Sequence, residues 1–165
     1  MRYGVIAVAM VMTCFAQNPA QAVDDLDRES LRGLPGVQVV IENIDKDAQE
    51  DGLLEDTVRT AVELILRSSG IRILTQSERL QTPSKPWLYV YIDTFKNNGR
   101  YAYTIRVSVE QRVSLVARPD HIMSTTTWRL DQIGTSGSFN ISKTINIVES
   151  AVKAFANDFL TVNPR

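Results

Sequence analysis

Cysteine and histidine are almost absent from this chain of 165 residues, which contains one of each, Cys14 and His121. A single histidine without a spaced second histidine or a cysteine is a poor zinc signal. The sequence has no GxSxG or HExxH motif and no usable pair of catalytic carboxylates. Its formal net charge is −1, so it lacks the concentrated basic face that binds nucleic acid. We therefore predict no catalytic residue, no metal or cofactor, and no nucleic-acid partner.

The N-terminus has the three parts of a secretory signal peptide. Arg2 is a short basic segment, residues 3–16 are almost continuously apolar, and Ala20-Gln21-Ala22 places small residues where a signal peptidase recognises them. A transmembrane anchor is the alternative, but this apolar stretch is shorter than the ~20 residues that cross a bilayer. We expect cleavage after Ala22, which leaves a periplasmic or secreted chain without a membrane span.

Cys14 lies inside the apolar stretch and opens another alternative. As the acylated residue of a lipoprotein it would attach the protein to a membrane. Val11-Met12-Thr13 precedes it, whereas Leu and a small residue such as Gly or Ala are expected there. Cleavage after Ala22 instead leaves a chain without cysteine, which has no disulfide and no thiolate ligand. Its stability must then come from a hydrophobic core.

The mature chain is predicted to be a single domain. Residues 23–33 are acidic and polar, which predicts a flexible leader or a frayed helical turn, and the domain then covers residues 34–165. Apolar residues alternate over residues 37–42, which predicts a first strand. Apolar residues at helical spacing over residues 53–67 predict a helix. Residues 71–74 predict a short second strand, which completes a βαβ unit with parallel strands.

Three β-rich runs predict an antiparallel meander over residues 87–133. Its first turn falls at Asn97-Asn98-Gly99 and its second near Pro119-Asp120. A C-terminal helix follows over residues 141–160, with apolar residues at helical spacing. The expected fold is α+β: a two-layer sandwich in which both helices cover one face of a mixed five-stranded sheet.

Five aromatic residues form the candidate partner surface. Trp87, Tyr89 and Tyr91 share the strand face opposite the aliphatic residues of the same strand. Tyr101 and Tyr103 follow the turn, in register to meet that strand. Such rings could form an open platform for a peptide, a glycan or a partner protein. The alternative is cross-strand packing that stiffens the ribbon.

Other candidate sites are weaker. His121 could act as a general base or metal ligand oriented by Asp120, or it could be a solvated turn residue. Carboxylates crowd residues 45–56, but Glu50 occupies the sixth position, where a calcium loop requires glycine. The glycines of residues 134–137 precede a helix without the lysine of a phosphate loop, which favours a connector.

Several short runs of the mature chain are distinctive: Leu34-Pro35-Gly36-Val37, Val62-Glu63-Leu64 with Leu66-Arg67, Gly70-Ile71, Leu88-Tyr89-Val90, Trp128, and Phe155-Ala156-Asn157-Asp158-Phe159-Leu160 with Val162-Asn163-Pro164. They resemble a family of small exported bacterial proteins of unknown function, and the C-terminal run is the most specific. The resemblance covers nearly the whole mature chain. It implies a bacterial envelope location and supplies no catalytic residues. The order of elements is also loosely similar to periplasmic α/β domains of envelope translocation and secretion machines.

Three functions stay open at this point. The leading hypothesis is a non-catalytic exported module that binds a partner protein in the bacterial envelope, through its aromatic strand face or by receiving an extended peptide at a sheet edge. The second is a carrier of a small ligand or lipid, with a pocket between the sheet and the C-terminal helix. The third is a hydrolase that uses Asp120 and His121. The sequence does not define an oligomeric state.

Overall fold

The structure, a computed structural model, describes residues 24–164. The elements in chain order are α1 (Asp25–Glu29), β1 (Gln38–Ile41), α2 (Lys46–Glu50), α3 (Glu55–Ser68), α4 (Gln76–Gln81), β2 (Trp87–Asn97), β3 (Arg100–Leu115), β4 (Arg118–Gly137), a 3-10 helix (Ser138–Thr144) and α5 (Ile145–Val162). The predicted α+β class is confirmed. The predicted signal peptide and Cys14 lie outside the described residues. Within residues 24–164, the helices are too short or too polar to cross a bilayer.

The sheet contains four strands in the order β1-β2-β3-β4, so the prediction of five strands is wrong. β1 is parallel to β2, and the other neighbours are antiparallel. The predicted second strand is reduced to one parallel bridge between Val37 and Ile73. Shortly after this bridge, Thr75 and Glu78 form the capping box that starts α4. Because that cap turns the chain into a helix, the extended segment ends before a ladder can form.

α3 and α5 each bury one apolar stripe, as their sequence periodicity predicted. α3 is terminated by Gly70, which lies just beyond its last residue and has a φ of 68°. The amide of Ile71 then donates to the carbonyl of Leu66 over 2.8 Å. This is the left-handed glycine cap expected from the sequence. α3 packs against α5 and β1, and α5 packs against β3. Their buried residues form one hydrophobic core with the inner face of the sheet.

The two hairpins differ in how well their turns were predicted. Asn98 and Gly99 have φ values of 48° and 73°, which make the two-residue turn expected between β2 and β3. The second turn was predicted near Pro119-Asp120, but Leu115 pairs with Arg118, so the chain turns at residues 116–117. Pro119 lies within β4, an edge strand, where a missing N–H is tolerated.

The segment predicted as a flexible leader belongs to the folded domain. Its residues from Asp24 onward form α1 and place Leu31 in the core with no exposed surface. The side chain of Asn163 holds this segment to the end of α5. It accepts from the amide of Gly33 over 2.7 Å and donates to the carbonyl of Leu31 over 2.9 Å. These contacts join positions 130 and 132 residues apart, so local sequence could not predict them.

Candidate binding face

The outer face of the sheet is the side turned away from α3 and α5. Alternation along β2 directs its aliphatic residues into the core and directs Trp87, Tyr89 and Tyr91 outward. All three rings are partly buried and partly exposed. The structure therefore brings these three predicted residues into one row on the outer face. Phe95 continues the same alternation and is 69% exposed.

Tyr101 and Tyr103 lie on the inner face, so they do not join this row. Tyr101 is only 1% exposed, and Tyr103 packs against the core. The two-residue turn sets this register, because it pairs Tyr101 with Lys96 and Tyr103 with Thr94. Lys96 and Thr94 are even-numbered residues of β2, and the even-numbered residues of this strand lie on the inner face. Counting back from Asn98-Gly99 in the sequence would have placed both tyrosines there.

The hydroxyl of Tyr101 has a structural partner at the edge of the core. It donates to Asp51 Oδ2 over 2.7 Å, and the Lys96 ammonium contacts the same oxygen at 2.7 Å. The hydrogen bonds from Lys96 and Tyr101 lower the pKa of Asp51 below its ordinary value. Burial and the bond to Asp51 raise the pKa of Tyr101. This group joins the loop after α2 to the first hairpin.

Arginine side chains lie over two of the outer rings. The Arg79 guanidinium lies 4.4 Å from the ring centre of Trp87, and its Nε donates to the side chain of Gln38 over 2.6 Å. The Arg106 guanidinium lies 5.9 Å from the ring centre of Tyr91. Such cation–π contacts limit the rotamers of both partners. The rings are therefore held in place before any partner binds.

The third ring is fixed by a carboxylate. Tyr89 donates its hydroxyl to Glu42 over 2.5 Å. This hydrogen bond, with burial and the charge of Glu42, raises the pKa of Tyr89 to about 12. Tyr89 is therefore neutral at physiological pH.

Two arginines share one carboxylate next to the aromatic row. Arg106 Nε contacts Asp131 Oδ1 at 2.7 Å, and Arg129 Nε contacts Asp131 Oδ2 at 3.0 Å. Ser108 lies between Tyr89 and Arg129 in the cross-strand register and is 1% exposed. Two guanidinium groups therefore flank one carboxylate on the β3–β4 side of the face. Aromatic residues and arginine are the types enriched in the energetically important parts of protein interfaces.

Alternation along β3 predicts the outward position of Arg106 from the sequence, and the same alternation places Arg129 outward on β4. The sequence alone did not bring Arg79 or Arg129 to the aromatic row. Arg79 lies in a segment predicted as a loop with at most one helical turn, which is α4 in the structure. The capping-box spacing of Thr75 and Glu78 is the signal that indicated a helix there.

Asp120 and His121 are both exposed on β4, in the part of the β3–β4 hairpin that extends past the end of β2. They lie at a register irregularity next to the turn, where residues 119–121 have no partner on β3. Residues 24–164 contain no group of three or more His, Cys, Asp or Glu placed to hold a metal ion.

The carboxylates of residues 45–56 are used within the fold. Asp45 Oδ2 accepts from the amide and the hydroxyl of Thr94, over 3.1 and 2.9 Å. Glu55 pairs with Arg59 one turn later in α3, over 2.9 Å. These two members of the cluster thus support local structure.

The predicted glycine connector is the end of β4. At Gly134 an added Cβ would lie 2.3 Å from the hydroxyl of Tyr103, so glycine is required for that ring to cover the strand.

A groove between α3 and α5 has a volume of about 840 Å³. Leu64, 66% exposed, is among its lining residues. This is not the place predicted for a carrier pocket, which was the space between the sheet and α5. There, Phe155 is fully buried and meets Trp128 edge to face, with ring centres 5.4 Å apart.

Comparison of the chain with models of known protein families gives no match, and comparison with curated proteins gives none either. The resemblance to small exported bacterial proteins stays a prediction.

Proposed function

We propose that this chain is an exported, non-catalytic module of the bacterial envelope that binds a partner protein through the outer face of its sheet. The observation that supports it is the row of Trp87, Tyr89 and Tyr91, with two of its rings under arginines and the third bonded to a carboxylate. The proposal of export is supported by the three-part N-terminal pattern in the sequence.

The row has the physical properties of a binding surface. Large aromatic side chains contribute contact area with few rotatable bonds, so ordering them costs little entropy. The contacts with Arg79, Arg106 and Glu42 have already ordered these rings in the free protein. A partner therefore loses less of its binding free energy to side-chain immobilisation. The polar groups around the rings supply hydrogen-bond donors and acceptors to set orientation.

Site-specific photocrosslinking in cells tests the proposal. A benzophenone side chain at Tyr91 lies on the outer face, whereas the same group at Arg67 lies on α3. Arg67 is the matched control because its side chain is 67% exposed on another surface. We expect one reproducible envelope protein bound at position 91 and absent at position 67. Identical products at both positions, or none at position 91, would contradict the proposal.

Alanine substitutions connect the crosslink to the aromatic row. Trp87→Ala in the Tyr91 crosslinking variant removes a neighbouring ring and should abolish most of the adduct. Leu64→Ala is the control, because it removes an exposed apolar side chain from the α3–α5 groove. An adduct lost with Leu64→Ala but kept with Trp87→Ala would assign binding to the groove instead.

A further inference from the structure

β4 is the longest strand and lies at the edge of the sheet. β1 forms the opposite edge, and the bridge between Val37 and Ile73 covers that edge just before β1 begins. Among the described residues, β3 is the only strand that pairs with β4. A long edge strand exposes unpaired backbone groups that can accept another strand.

The hydrogen-bond pattern shows which β4 residues face this open edge. The amide of Glu42, the residue after β1, donates to the carbonyl of Val90 in β2, so the even-numbered residues of β2 face β1. Odd-numbered residues of β2 then face β3, and the alternation continues across the antiparallel pairs. Residues of β4 such as Leu130 face back toward β3. Arg129, Asp131 and Ile133 consequently present their backbone groups to the open edge.

The edge of β4 is only partly protected. Ser30, the residue after α1, donates its hydroxyl to the carbonyl of Thr127 over 3.0 Å, and a bulge interrupts the strand at the same place, so the uncovered part begins at Trp128. Proline, lysine and inward-pointing charges normally prevent edge pairing. Residues 128–137 contain no proline and no lysine, and Pro119 is far along the strand. The two charged residues of this segment, Arg129 and Asp131, have opposite signs. The segment is therefore suited to pairing with a strand of complementary charge.

We propose that β4 pairs in an antiparallel manner with β4 of a second copy of this chain, about a twofold axis at Leu130. This register places Arg129 opposite Asp131 of the second copy, and it does so twice because of the symmetry. Registers centred on Arg129 or on Asp131 place like charges directly opposite each other, which destabilises pairing. The backbone hydrogen bonds also fit this register. The backbone groups of Arg129 and Asp131 both face the open edge, so Arg129 of one copy and Asp131 of the other form a hydrogen-bonded pair.

A bulge adds Thr127 to β4, so the alternation changes phase there and the pairing ends at that residue. Ile133, which is 77% exposed, comes to lie opposite Thr127 at each end of the paired segment. The pairing thus places an exposed apolar side chain beside the second copy.

The two outer faces then form one continuous surface. Both copies keep their helices on the same side, because the axis is perpendicular to the sheet. The two Arg129–Asp131 pairs lie at its centre. This pairing does not depend on the proposed partner-binding function, since a dimer could form whether or not the aromatic row binds another protein.

Sedimentation equilibrium of the purified protein tests the pairing with two charge variants. Arg129→Asp places two aspartates opposite each other, and Asp131→Arg places two arginines opposite each other. Each variant alone should weaken self-association by about tenfold or more, since two cross-strand pairs become repulsive. Mixed in equal amounts, the two variants should associate with each other, because every opposed pair is again of opposite charge. Failure of the mixture to associate would overturn the register.

A backbone variant gives a second test. Ile133→Pro removes an N–H that faces the open edge and leaves the ladder with β3 intact. Ile133→Thr is its matched control, because it removes the apolar side chain and keeps the N–H. We expect Ile133→Pro to fold, as judged by circular dichroism, and to weaken dimerisation about tenfold more than Ile133→Thr. A wild-type chain that stays monomeric at all concentrations overturns the proposal. In that case, loss of binding to another envelope protein by Ile133→Pro does not rescue it.

Discussion

Trp128 donates its indole N–H to the carboxylate of Asp158 over 2.9 Å, and this bond joins β4 to α5. Trp128 is fully buried, so the carboxylate is the acceptor that a buried donor requires. The other oxygen of Asp158 accepts from Arg28 Nε at 2.9 Å, and this bond raises the pKa of Arg28. One side chain thus holds the edge strand, the last helix and α1 together.

Replacing Asp158 should therefore destabilise the whole domain. Asp158→Ala leaves the buried indole without an acceptor, and we expect a loss of about 1–3 kcal/mol in the free energy of unfolding. Asp158→Asn keeps an oxygen acceptor and should lose less. Urea unfolding followed by tryptophan fluorescence measures both changes. Equal stability of the alanine variant and the wild type would show that the indole finds another partner.

Gly36 allows a close backbone approach that no other residue permits. Its φ is 149°, and an added Cβ would lie 2.2 Å from the carbonyl oxygen of Arg72. We expect Gly36→Ala to lower the free energy of unfolding by about 3 kcal/mol or more, because the bridge beside β1 must move. Gly33→Ala is the control, since its φ is 76° but no atom lies within 4 Å of the added Cβ. It should cost only about 1–2 kcal/mol of backbone strain. Thermal or urea unfolding of both variants tests the contrast, and equal losses would contradict it.

Alkaline pH should weaken the fold through Tyr89. Its pKa is raised from 10.0 to about 12, so the folded chain retains this proton more tightly than the unfolded chain does. The stabilisation is complete below pH 10 and is lost as the pH rises through 12. Tyr89→Phe lacks this titration, so its stability should fall less steeply between pH 10 and 12. Tyr91 and Tyr101, whose pKa values are also raised, are present in both proteins and cancel in the comparison. Parallel pH profiles would contradict the assignment.

Export is tested by the N-terminus of the protein recovered from cells. We expect the mature chain to begin at Val23, as measured by N-terminal sequencing and intact mass. Ala22→Arg places a large side chain at a position that the peptidase recognises and should leave the leader attached. Gln21→Leu, between the two recognised alanines, should be processed normally. A lipid-modified chain beginning at Cys14 would support the lipoprotein alternative instead.

Local sequence was sufficient for features that depend on neighbouring residues. The glycine cap after α3, the Asn98-Gly99 turn and the alternation along β2 follow from backbone geometry and side-chain periodicity, and all are present. The outward direction of Trp87, Tyr89 and Tyr91 has the same origin. The C-terminal run was noticed as distinctive, although nothing in it indicated which residues it contacts.

The tertiary structure decided features that depend on distant parts of the chain. Asp158 and Asn163 bind the segment around α1, which local composition had predicted to be flexible. The arginines of the outer face come from α4, β3 and β4, so only the folded sheet brings them to the aromatic row. The sequence by itself determined α3, α5, the strand faces and the tight turn, because these arise from interactions a few residues apart. Strand number, the docking of α1 and the composition of the binding face needed the fold, because each depends on contacts between segments that are far apart in the chain.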